Sequence, residues 1–111
     1  MTIQNNHSPK ELMLDRKLKD FLTKIIAENK EVSSLPLSLL DKLISDDEIQ
    51  EMQDFANNVA IVRLGFNDHG PVHMRTVCYN ALKMMNILHA AGIKTNLEIE
   101  GPGCYEDSIL A

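Results

Sequence analysis

Arg63-Leu-Gly-Phe-Asn-Asp-His-Gly-Pro-Val-His-Met-Arg75 decides the reading of this chain, because it joins two helical patterns and sets two imidazoles four residues apart at the junction. Asp68 or His69 can cap a helix there, and Pro71 fits a first turn, where no backbone donor is required. Downstream, Val72, Val77, Ala81, Met84, Leu88 and Ala91 follow a helical apolar pattern until Gly92 stops it. At about 100° per residue, Val77, Asn80 and Met84 fall within roughly 40° of His73, so the pattern turns His73 toward the buried face. An imidazole among apolar neighbours needs a hydrogen bond or a metal at its nitrogens. His73 is therefore read either as a hydrogen-bonded core histidine or as a metal ligand, and His69 either as a cap or loop residue or as a second ligand. The zinc-protease form of this spacing is excluded, because Gly70 stands where that motif requires Glu.

Outward from this junction the chain reads as helices throughout. Ser8-Pro-Lys-Glu11 combines an N-cap, a first-turn proline and a capping-box acid, and Leu14, Leu18, Phe21, Leu22, Ile25 and Ile26 form a stripe over about residues 9 to 30. Ser33-Ser-Leu-Pro36 interrupts it, and Leu37, Leu40, Leu43 and Ile44 mark a shorter second helix. Ser45-Asp-Asp-Glu48 is a further capping box, after which Ile49, Met52, Phe55, Ala56, Val59 and Val62 carry a third helix to Gly65. Thr95-Asn-Leu-Glu-Ile-Glu100 alternates too briefly for a strand and reads as extended loop. Gly101-Pro-Gly103 is a loop signal, and Glu106-Asp107 suits the first turn of a last helix. The expectation is an all-α fold, a small bundle of about four helices in one domain over residues 1–111.

Composition narrows the function classes. Residues 1 to 31 hold six basic and five acidic side chains and residues 32 to 111 hold five and eleven, for a net charge of −5. Such an acidic balance repels a phosphate backbone and argues against nucleic acid as partner. No stretch is apolar for the length that a bilayer demands, which argues against a membrane span. Cys78 and Cys104 do not form a C-x-x-C pair and no secretory leader is evident, so a reducing cytoplasm is the expected compartment. Cys78, beside Ala81 and Leu82, reads as a small packing residue. Arg75 reads as an exposed or acid-paired side chain, or as a contact for phosphate.

Asn57-Asn-Val-Ala-Ile-Val-Arg-Leu-Gly-Phe-Asn-Asp-His-Gly-Pro-Val-His-Met, continuing to Ala90-Ala-Gly-Ile93, resembles the opening of an archaeal-type HD-domain metal-dependent phosphohydrolase. The resemblance spans about residues 46 to 111. That superfamily's signature is an early His, a His-Asp pair and a later Asp. The resemblance implies that His73, followed four residues on by Val77, is the first ligand of a divalent metal. It implies that His69 is a polar residue assisting metal or phosphate, and that the substrate is a phosphate ester.

One departure is decisive for activity. The chain has no His-Asp dipeptide and its last histidine is His89, whereas the resemblance places the pair just beyond Tyr105-Glu-Asp-Ser-Ile-Leu-Ala111. A helix of one apolar turn cannot stabilise itself. The expectation is thus the N-terminal part of a longer enzyme, inactive by itself and homo-oligomeric through uncovered apolar surface. The alternative is a non-catalytic helical module for self-association or partner binding.

Overall fold

Local capping sets most of the helix starts. A computed structural model describes residues 7–63, 65 and 70–111. Helix α1 runs Pro9–Glu28, and the Ser8 side chain accepts from the Glu11 N–H at 3.2 Å. Helix α2 spans Leu35–Ser45, with Pro36 in its first turn. Helix α3, Asp47–Asn58, is capped by Asp46, whose carboxylate accepts from the Ile49 N–H at 3.1 Å. Ser45, the expected cap, instead donates to the Asp41 carbonyl at 2.8 Å as part of α2. A π-helical turn, Val59–Arg63, follows directly.

Helix α4 runs Pro71–Ala90. Its N-cap is Gly70, which makes no side-chain cap bond, so the expected role of Asp68 or His69 passes to a glycine. Asp68 and His69 themselves lie outside the described residues. Beyond α4, Gly92 takes the left-handed φ of 82° that ends a helix. The segment expected as extended loop is a short helix instead, α5, Asn96–Ile99. Thr95 and Glu98 close a reciprocal capping box that stabilises its single turn. Helix α6, Tyr105–Leu110, completes an all-α fold with no strand among the described residues.

The helices assemble around α1. It packs on α4 along one side and on α2 along the other, while α6 rests on α2 and α5. Leu18, Leu22 and Ile25 of α1 meet Val32, Leu40 of α2, Leu82 of α4 and Tyr105 of α6 in one core. Phe21 and Tyr79 meet edge to face, with ring centroids 5.7 Å apart. Glu106 draws α6 toward the lead-in to α2 by accepting from both the Ser33 N–H and its hydroxyl.

The face of α4 that packs inward is not the one its apolar pattern indicates. Pro71, Arg75 and Leu82 are buried, whereas Val77 and Met84 are 51% and 60% exposed. Arg75 and Leu82 are seven residues apart and so share a face, while His73 lies about 180° from Leu82. In α3 the same inversion occurs: Gln50 is buried and Met52 and Phe55 are exposed.

Candidate functional site at the start of α4

His73 occupies the first turn of α4 and is exposed. The expectation that it faces the core is corrected, and the physical reason is the position of Arg75. With Arg75 directed at α1, a residue two places earlier points about 160° away. His69 lies outside the described residues, so its distance from His73 is not part of the geometry.

His73 heads a groove of about 490 Å³ between α4 and α6, bordered by Met74, Val77, Cys78, Ser108 and Ile109. Its walls are mainly apolar. Cys78 also borders two smaller hollows that extend the groove toward α2. Although the residue as a whole is exposed, burial pushes the Cys78 thiol above its ordinary value, which disfavours the thiolate needed for nucleophilic or metal chemistry.

Among the described residues, no three His, Cys, Asp or Glu side chains group together to hold an ion. His73 alone therefore does not make up a metal centre, because a hydrolytic ion needs several protein ligands and an open position. His89 stands at the far end of α4, where its Nε2 lies 3.3 Å from Glu31 Oε1. It is remote from His73, as its sixteen-residue separation requires.

A second polar cluster lies behind His73. Arg75 Nε donates to Asp15 Oδ1 at 2.5 Å, and Arg75 Nη1 donates to the Pro71 carbonyl at 3.1 Å. The other carboxylate oxygen, Asp15 Oδ2, is 3.3 Å from His7 Nδ1. All three side chains are at least nine-tenths buried. Nearby, Gln50 of α3 donates to Glu11 of α1 at 3.0 Å. Arg75 is thus the acid-paired arginine of the sequence reading, but buried. Asp15 and His7 were not legible as partners, although a carboxylate between Leu14 and Leu18 in a buried stripe is a signal that a cation must come to meet it.

Gly70 brings the start of α4 against α3. A Cβ placed there would stand 2.6 Å from the Asn57 Cβ, so only glycine fits this approach. The first turn of α4 is consequently held on two sides, by Asp15 of α1 and by the end of α3.

No family model and no solved structure matches the chain. An uncharacterized protein of Methanocaldococcus jannaschii is 34% identical over 79 residues, which is 71% of this chain. A span of that length within 111 residues includes residues 33–79, and with them His73 and Arg75. The chain spans 30% of the length of this relative.

Proposed function

We propose that this polypeptide is the N-terminal part of a cytoplasmic HD-superfamily phosphohydrolase, contributing His73 as one ligand of a divalent metal centre whose remaining ligands it does not contain. The observation that carries the reading is the position of His73, in the first turn of a long helix, exposed, and at the head of an open groove. The motif around it is the one that resembles the superfamily, and the chain matches a relative of more than three times its matched length. The substrate class is a phosphate ester, and the chain alone is inactive because one imidazole cannot hold a hydrolytic ion.

The test pairs activity with binding. With Mn²⁺ present, the 111-residue chain should not hydrolyse p-nitrophenyl phosphate, while the Methanocaldococcus relative should. His73→Ala should abolish any Zn²⁺ or Mn²⁺ binding by this chain in a calorimetric titration. Metal-dependent turnover by the chain itself, or binding unchanged in the variant, would contradict the assignment.

A second reading is favoured by one specific observation. Met74, Val77, Met84 and Leu88 form an exposed apolar stripe on α4, 38% to 60% accessible. Stripes of this kind associate with other apolar surface. Self-association through it gives a dimer or larger species in sedimentation, which Met84→Glu should return to monomer. A monomer at high concentration for the unaltered chain would remove this reading.

A further inference from the structure

Helix α4 carries two faces able to pack, and only one rests on α1. The outward stripe, Met74, Val77, Ala81, Met84 and Leu88, is apolar throughout and spaced by threes and fours. The inward face brings Leu82, Tyr79 and Met85 to the core and is interrupted by Arg75. Both faces thus offer apolar side chains that leave water with a gain, and the inward one also carries a guanidinium that leaves it at a cost. The observed docking accepts that cost, so apolar burial is not the only element in the choice.

The other element is polar and lies on α1. Asp15 sits within the stripe formed by Leu14, Leu18, Leu22 and Ile25, where α4 must pass. Its two oxygens meet Arg75 Nε and His7 Nδ1, at 2.5 Å and 3.3 Å. Turning α4 to bury Met74 to Leu88 would carry Arg75 away and leave the Asp15 carboxyl enclosed without its guanidinium. A buried ion pair adds little net stability over apolar residues, but breaking it by removing one partner is strongly unfavourable. Such a pair discriminates between two packings without strengthening either by much.

We propose that the Asp15–Arg75 pair selects which face of α4 docks on α1, and so keeps the Met74–Leu88 stripe, with His73 at its head, directed outward. The role is independent of whether His73 binds metal. Arg75 and Asp15 are positioning residues here, acting on His73 through the setting of the helix. His7 completes the enclosure of the carboxylate from the segment before α1.

The experiment reads the orientation of α4 directly. The full 111-residue chain, with labelled Val, Leu and Met methyls, is studied by NMR with a neutral gadolinium chelate in the solvent. Spectra are taken at a concentration where sedimentation gives monomer, so that association does not mimic rotation. In the unaltered protein the Val77 and Met84 methyls are attenuated and those of Leu82 are protected. The double variant Asp15→Leu/Arg75→Met should fold with attenuation lost at Val77 and Met84 and gained at Leu82. A folded double variant that keeps the original pattern overturns the proposal. Should the double variant not fold, Asp15→Asn, which keeps the side-chain shape, is read in the same way. A second set of Val77 signals with reduced attenuation supports the proposal. A single unchanged pattern, or loss of the fold, overturns it, because the pair would then act on stability and not on the choice of face.

Discussion

The rings of His89 and Tyr105 stack with centroids 3.7 Å apart and planes within 4° of parallel, which seats α6 on the last turn of α4. Tyr105 is 2% exposed, and its hydroxyl is buried with no hydrogen-bond partner among the described residues. An unsatisfied buried hydroxyl costs about 1–3 kcal/mol, so Tyr105→Phe should hold or raise stability in urea denaturation. Burial, then the charges of Glu98 and Glu31, push the Tyr105 phenol above its ordinary value. A raised phenol binds its proton more firmly when folded. Its contribution is therefore full below the unfolded value and is lost as pH rises toward the folded one. Alkaline titration should destabilise the unaltered chain more than Tyr105→Phe, and equal losses would contradict the burial of this hydroxyl.

Ile25 is fully buried at the meeting point of the core helices, whereas Ile87 is 66% exposed. Ile25→Ala removes packed methyl groups and should cost about 2–5 kcal/mol. Ile87→Ala should stay within about 0.5 kcal/mol. Urea midpoints of the two variants measure the contrast, and similar losses would refute the inward face assigned to α4.

Gly70 is the contact through which α4 approaches α3. Gly70→Ala drives a methyl against Asn57 and should destabilise by about 1–3 kcal/mol, the range for forced overpacking. The double variant Gly70→Ala/Asn57→Gly should recover most of that loss. Thermal melts showing no recovery would place the strain elsewhere.

Two capping boxes make the C-terminal helices sensitive to acid. Glu98 accepts from the Thr95 N–H and Asp107 from the Cys104 N–H, at 3.0 Å and 2.8 Å. These backbone bonds hold both carboxyls below their ordinary values. For a depressed carboxyl, stability is present above the unfolded value and disappears as pH falls through the folded one. Carboxyl carbon shifts should accordingly titrate below the usual range at both residues, and the Thr95 and Cys104 amide signals should move with them. Ordinary midpoints would remove the boxes.

Much of the fold is legible because its starts and stops are local. Ser8-Pro9 opens α1 and Gly92 ends α4, each by chemistry within a few residues, while α3 opens one residue later than the Ser45 box indicates, at Asp46. The segment Thr95–Glu100 departs from its extended reading because the Thr95-x-x-Glu98 capping box outweighs an alternation too short to form a strand. The face of α4 departs from its reading for a different reason. It depends on Asp15, a residue 60 positions away, and a helical wheel of α4 alone contains no term for that partner. His73 inherited the error, since the same wheel placed it. Its metal role belongs to the resemblance and to the proposal built on it, because the described residues assemble no ion site around it.

The central place of α1 has a consequence for synthesis. The scaffold helix leaves the ribosome ahead of every helix that rests on it, and α2 follows after a short connection, so the α1–α2 hairpin can close while the remainder is still being made. Arg75 emerges later. At about 5–20 residues per second it trails Asp15 by roughly 3–12 s, an interval in which the carboxylate is without its Arg75 partner. The last long helix thus arrives at a surface already marked with the carboxylate that tells it how to lie down.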